Sequence, residues 1–265
     1  MEKLQAALAK ARNQREQRDS NPVVASKVSD RKRDRWPALK QVSLSNEMLR
    51  KHRIVGHSVE QQSTSFDVLR TKIVMQMRRL GWTRLAITSP SPNSGKTTIA
   101  CNLALGLGRQ ASLRTMLLDF DLGSPSVHRY LGIDRTRSLS AVLSGEVAFH
   151  EHAVCVGENV AVVTSCRPDP DPTRLVMSQQ TEVFLDQIQE DYQPDVMIFD
   201  LPAILSGDRA RAFLKSVDCA LIVARAEQTR FNQLDICESE VAESTNVIGV
   251  VMNGCHPNAM PRTED

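Results

Sequence analysis

No stretch of the chain approaches the roughly 18 consecutive apolar residues that a membrane-spanning helix needs. The opening Met1-Glu2-Lys3-Leu4-Gln5 also lacks the apolar centre of a secretory leader. A cytoplasmic protein without a span of its own is expected. The six cysteines, Cys101, Cys155, Cys166, Cys219, Cys237 and Cys255, include no Cys-x-x-Cys pair and mostly lie in or beside apolar runs. Buried free thiols are expected in preference to disulfides or a zinc site. Nothing in the chain has the pattern of a base-reading module, so nucleic acid is an unlikely partner class.

What is present is an ordinary globular composition with an uneven charge distribution. The hydrophobic fraction of 41% and the charged fraction of 24% are sufficient for a buried core, and the length suits one α/β domain of about 200 residues with an extension. Residues 1–56 carry 14 Lys and Arg against 6 Asp and Glu, whereas the remainder carries 19 against 25. The expected organisation is therefore a basic, partly disordered extension over 1–56, a nucleotide-binding domain over 57–256 and a short tail over 257–265. Leu4, Ala7, Leu8 and Ala11 have helical spacing within residues 2–18. Residues 19–40 read as linker, in which Trp36-Pro37-Ala38-Leu39 is an apolar island able to anchor on a partner or on the parent domain.

The chain is organised around Ile87-Thr88-Ser89-Pro90-Ser91-Pro92-Asn93-Ser94-Gly95-Lys96-Thr97-Thr98. A short apolar strand enters this stretch, and an Ala/Leu-rich helix leaves it. That is the setting of a phosphate-binding loop, whose backbone N–H groups and following helix face a polyphosphate. Pro90 stands where the general motif has its first glycine. Two later strands support the reading, because Leu117-Leu118-Asp119-Phe120-Asp121 and Ile198-Phe199-Asp200-Leu201-Pro202 both end in carboxylates. A strand-end Asp that caps the next helix is the plainer alternative for Asp119 and Asp121.

The periodicity predicts a helix over 60–80 and strands at 84–88, 114–119, 195–202, 217–225 and 246–253. Helical stretches are expected over 95–109, 173–191, 207–216 and 229–242. Continuous apolar strands alternating with helices imply an α/β fold, a mostly parallel doubly wound sheet with helices on both faces. Sites in such sheets gather at the carboxyl ends of the strands.

With these residues in hand, the sequence resembles the bacterial tyrosine autokinases of capsule and exopolysaccharide export, within the MinD/ParA-like phosphate-loop ATPases. The resemblance covers about residues 54–253, including Gly249-Val250-Val251-Met252-Asn253. It implies ATP and Mg²⁺ as cofactors, a membrane chain-length-determinant (polysaccharide co-polymerase) partner, homo-oligomer formation and recruitment to the inner face of the plasma membrane. It also implies roles. Lys96 would neutralise charge on the β/γ-phosphates, Thr97 and Asp121 would hold Mg²⁺, Asp119 would position or deprotonate the acceptor, and Asp200 would support the metal from behind. Asn93, Ser94, Gly95, Lys96, Thr97 and Thr98 would cradle the nucleotide, and Asn253 would meet adenine unless it is a strand-end turn residue.

The chain departs from that family in several places. Ser91 stands where the MinD/ParA group has a second lysine, Gly123 stands where an arginine usually follows the Asp-x-Asp-Leu run, and Thr64, Asp67 and Arg70 occupy the ring-closing Glu-x-x-Arg-x-x-Arg element. The end of the chain carries no tyrosine cluster; Tyr130 and Tyr192 are the only two tyrosines and are expected to be packing or surface residues rather than phosphate acceptors. A positioning ATPase and a non-catalytic ATP-binding module are the two other readings.

Overall fold

In the computed structural model, which describes residues 35–58, 64–133 and 138–255, the chain joins its sheet earlier than the sequence reading has it. The compact unit begins at Arg35. A 3₁₀ turn at Trp36–Ala38 leads into strand β1 (Lys40–Val42), and helix α1 (Asn46–Lys51) follows. The extension expected through residue 56 is corrected accordingly. Trp36 is buried, its indole N–H donates to the Tyr192 carbonyl at 2.6 Å, and the Arg114 guanidinium lies 5.3 Å from its ring. The apolar island thus anchors on its own domain. At the other end of the segment the Asn102 side chain accepts from the Val55 and Gly56 N–H groups at 2.7 and 2.8 Å, and it donates to the Arg53 carbonyl. The helix expected over 2–18 and the tail 257–265 lie outside the described residues.

Helix α2 (Thr64–Leu80) precedes β2 (Arg84–Thr88), then come α3 (Lys96–Gly108) and β3 (Thr115–Asp119). The short helices α4 (Val127–Leu131), α5 (Leu139–Leu143) and α6 (Phe149–His152) lead to the hairpin of β4 (Val154–Val156) and β5 (Val160–Val163). Helices α7 (Pro172–Val176) and α8 (Gln179–Tyr192), β6 (Val196–Asp200), α9 (Arg209–Leu214), β7 (Cys219–Arg225), α10 (Phe231–Ala242) and β8 (Asn246–Asn253) complete the order.

The strands form one sheet in the order β1-β4-β5-β3-β6-β2-β7-β8. Every pairing is parallel except β4 with β5, whose hairpin turns through Gly157 at φ 62°. The expected α/β, mostly parallel, doubly wound architecture is what the chain adopts. Alternation along each central strand divides the core in two. Ala86, Met116, Leu118, Met197 and Phe199 face one layer with Phe213, whereas Leu85, Ile87, Leu117 and Ile198 face the other with Ile73, Met77 and Leu103. Strands buried on both faces read as continuous apolar runs, which is why they were visible in sequence.

Helix α3 is apolar nearly all round, and ten of its residues are buried, as expected for a helix running under a sheet. Its N-cap is Gly95 at φ 94°, with no side-chain cap. The first-turn N–H groups are therefore left without a side-chain acceptor. Strand β2 lies between β6 and β7, so the loop leaving β2 opens at the carboxyl edge of the sheet beside the ends of β3 and β6.

Candidate nucleotide site

The loop after β2 is fixed by short bonds of its own and by the segment after β6. Ser89 Oγ and Ser94 Oγ both donate to the Ser91 carbonyl, at 2.7 and 2.8 Å. Thr88 Oγ1 donates to the Pro202 carbonyl at 2.8 Å, and the Ile204 N–H donates to the Ser89 carbonyl at 2.9 Å. Asn93 adopts φ 60° and Gly95 φ 94°, so two left-handed residues turn the chain sharply before α3. A Cβ on Gly95 would collide with the Asn253 side chain, whose Nδ2 donates to the Ser94 carbonyl at 2.9 Å. Asn253 thus braces the loop from the end of β8.

Above this loop lies a cleft of about 350 Å³ lined by Asn93, Gly95, Lys96, Thr97 and Asp121, together with Ser126, Arg129, Tyr130, Pro202 and Arg209. The structure brings together Lys96, Thr97, Asp121 and the loop residues Asn93 and Gly95. Ser94, Thr98, Asp119, Asp200 and Asn253 are not part of the lining. Asp119 is fully buried, and its Oδ2 accepts from the Ser126 and Val127 N–H groups at 2.9 and 3.0 Å and from Thr164 Oγ1 at 3.0 Å. The helix-capping alternative describes its contacts. Asp200 stands one step behind the cleft, where its Oδ2 accepts the Thr97 hydroxyl proton at 2.6 Å. Ser126 Oγ lies 3.0 Å from the same Thr97 oxygen.

Three carboxylates lie at or behind this cleft, and burial pushes each towards its neutral form. Burial raises Asp200 from 3.8 to about 7, against the bond from Thr97 and the charge of Lys96. Burial and the nearby Asp200 carboxylate push Asp119 well above the ordinary range despite its three donors. Burial raises Asp121 too, while Lys96 and Arg209 pull it down. One buried oxygen on each of these residues, Oδ1 in every case, has no hydrogen-bond partner. Carboxylate oxygens left unpaired beside a lysine and a threonine hydroxyl fit a divalent cation. Among the described residues no three His, Cys, Asp or Glu side chains form a self-sufficient metal cage. The residue set therefore fits Mg²⁺ shared with phosphate oxygens, not a cation held by protein alone.

The sequence reading missed Arg129 and Arg209, which both line the cleft. Neither belongs to a motif. Gly123, noted as a departure, lies directly under the Arg209 guanidinium. Both tyrosines pack as expected. Tyr192 is buried against Trp36 and Phe149, and half-buried Tyr130 stacks on His52 with ring centroids 4.5 Å apart. Arg70 donates to the Gly106 carbonyl at 2.9 Å, and Asp67 pairs with Arg70 and Arg109 at 3.1 and 2.7 Å. No disulfide forms among the described cysteines.

Comparison with known proteins places the domain among nucleotide-binding folds. Residues 85–265 match the family described as the CobQ/CobB/MinD/ParA nucleotide binding domain. The tyrosine-protein kinase YwqD of Bacillus subtilis is 27% identical over 194 residues, covering 72% of this chain and 81% of the relative. Several other curated relatives are much longer, and the matched region spans only about a quarter of their length, 26% for the tyrosine-protein kinase ptk of Acinetobacter johnsonii. The kinase domain of the Escherichia coli tyrosine kinase ETK superposes with a TM-score of 0.66 at 24% identity, covering 74% of this chain and 77% of that one. The septum site-determining protein MinD from Pyrococcus horikoshii, solved with Mg-ADP, superposes with a TM-score of 0.55 at 20% identity over 68% of this chain and 74% of its own. These two likenesses establish the fold. The chain belongs to the CobQ/CobB/MinD/ParA nucleotide-binding family, and within it the chain is similar to proteins described as bacterial tyrosine-protein kinases.

Proposed function

We propose that the protein binds Mg-ATP in the cleft above Gly95 and Lys96, and that it regulates exopolysaccharide or capsule synthesis or export through ATP hydrolysis or phosphoryl transfer. The observation that carries this reading is the convergence of Lys96, Thr97 and Asp121 on one cleft, backed by buried carboxylate oxygens that lack partners. Lys96 binds the β/γ-phosphates and offsets the charge that builds there in the transition state. The loop N–H groups from Asn93 to Thr98 orient the phosphates. Mg²⁺, held by Thr97 and Asp121 with Asp200 behind Thr97, would neutralise charge between the β- and γ-phosphates and lower the barrier to displacement. The Thr97 hydroxyl donates its hydrogen bond to Asp200, which leaves the threonine oxygen lone pairs for the cation. Asp119 acts from below by holding the turn that presents Ser126, and Asn253 acts by holding the loop.

The partner in this reading is the cytoplasmic tail of a membrane chain-length-determinant protein, met at the inner face of the plasma membrane. No helix among the described residues is long and apolar enough to cross a membrane itself. Burial of Tyr192 and stacking of Tyr130 favour an acceptor on another chain over one within this domain. The test is intact-mass spectrometry after incubation with ATP, Mg²⁺ and that tail, beside Lys96→Ala. An adduct of one phosphoryl group on either chain, lost in the variant, supports transfer. Released phosphate without an adduct supports an ATPase switch. Absence of both, with nucleotide still bound, contradicts the enzymatic reading and leaves a binding module.

A further inference from the structure

The cleft holds more positive charge than its motif accounts for. Arg209 opens α9, and its guanidinium lies over the backbone of Gly123 in the space a side chain at 123 would occupy, so that a Cβ there would collide with Nη1. Arg209 is half-buried and lines the same cleft as Lys96 and Asp121. Its side chain makes no hydrogen bond or ion pair to another described residue. Its charge is nonetheless felt, since it and Lys96 are the two cations that pull down the Asp121 carboxyl.

The base of Arg209 is firmly held. Ala210, Phe213 and Leu214 of α9 are buried in the aromatic layer, and Phe213 lies 4.4 Å from Phe120 and 5.0 Å from Phe199 between ring centroids. The 3₁₀ turn before it, Ile204–Ser206, bonds back to the Ser89 and Pro90 carbonyls of the phosphate loop. A guanidinium whose donors are unused among the described residues, carried on a support tied to that loop, matches a tetrahedral oxyanion.

We propose that Arg209 is a second phosphate-binding cation of this cleft, meeting the terminal phosphate of a nucleoside triphosphate opposite Lys96, and that the absence of a side chain at Gly123 makes room for it. The inference rests on the Mg-ATP reading above. Because the contact is to the end of the polyphosphate, Arg209 distinguishes a triphosphate from a diphosphate, and it strengthens its hold as charge spreads over the transferring oxygens.

Gly123 supplies a clean test, since its backbone is not in the left-handed region and the atom a new Cβ would meet is the far end of a flexible side chain. Gly123→Ala should push the guanidinium aside without disturbing the backbone. Calorimetric titration of the full chain with Mg-ADP and with a non-hydrolysable Mg-ATP analogue is the measurement, alongside phosphate release. Arg209→Ala and Gly123→Ala are each expected to weaken the triphosphate by about 10-fold to 100-fold and the diphosphate much less. Turnover should fall by about 10²–10³-fold. Equal binding of both nucleotides by wild type and by both variants would overturn the role of Arg209 alone. Failure of the wild type to bind either nucleotide would overturn the cleft assignment and this proposal together.

Discussion

The Thr97 hydroxyl, in the first turn of the helix that follows the phosphate loop, donates to Asp200 Oδ2 at the end of the neighbouring strand over 2.6 Å. This bond ties the loop to the sheet and sets the direction of one proton. It also makes the site sensitive to the charge on Asp200, and a pH dependence follows.

Asp200 has a folded-state pKa raised from 3.8 to about 7. Between about pH 4 and 7 the folded protein therefore holds a proton that the unfolded chain has released. Stability must fall as pH rises through that window and level off above it. Thermal melting of nucleotide-free protein should give a lower Tm at pH 8 than at pH 5. Asp200→Asn should flatten part of that fall, with Asp119 and Asp121 supplying the rest in the same direction. A Tm that climbs across the window, equally in both proteins, would contradict the assignment.

Lys96→Ala removes a buried cation that lines the cleft and, on the proposed Mg-ATP reading, should lower turnover by about 10²–10³-fold. The Asp121 carboxyl should rise further, because Lys96 is the larger of the two cationic influences pulling it down. Carboxyl titration followed by NMR checks the second effect without nucleotide. An unchanged Asp121 titration would show that the two groups do not interact as described.

Asn253 distinguishes bracing from base recognition. Its amide is engaged with the Ser94 carbonyl at 2.9 Å, next to Gly95. If it braces the loop, Asn253→Ala weakens ATP and GTP analogues alike, each by about 10-fold for one lost hydrogen bond to a strained loop. Selective loss of ATP affinity would assign it to adenine instead.

Trp36→Ala should destabilise the domain by about 3–5 kcal/mol, since a buried indole, its bond to the Tyr192 carbonyl and its contact with Arg114 all go. Urea unfolding with an unchanged slope would measure this. A change below about 1 kcal/mol would mean that residues 35–42 are dispensable to the fold.

The five long strands were legible because their runs are apolar without interruption, and the helices between them because of their spacing. Strand β1 was not, since Lys40-Gln41-Val42 is too short to show a period and its pairing comes only from β4. The hairpin of β4 and β5 was hidden for a similar reason, as the run from Val154 to Val163 is broken by Gly157-Glu158-Asn159. At the site, Lys96, Thr97 and Asp121 followed from motif spacing. The capping contacts of Asp119 depend on how the chain turns at Ser126, which no local pattern encodes. Arg209 is separated from the loop by more than one hundred residues and carries no motif. Only the folded arrangement brings it over Gly123.

The most direct measurement is equilibrium displacement of a fluorescent ATP analogue by ATP, with Mg²⁺ and with excess EDTA, for the full chain and for Lys96→Ala. The account predicts saturable binding to the wild type that weakens when Mg²⁺ is removed and weakens at least 10-fold in the variant. Binding that ignores both Mg²⁺ and Lys96, or no binding at all, would contradict it.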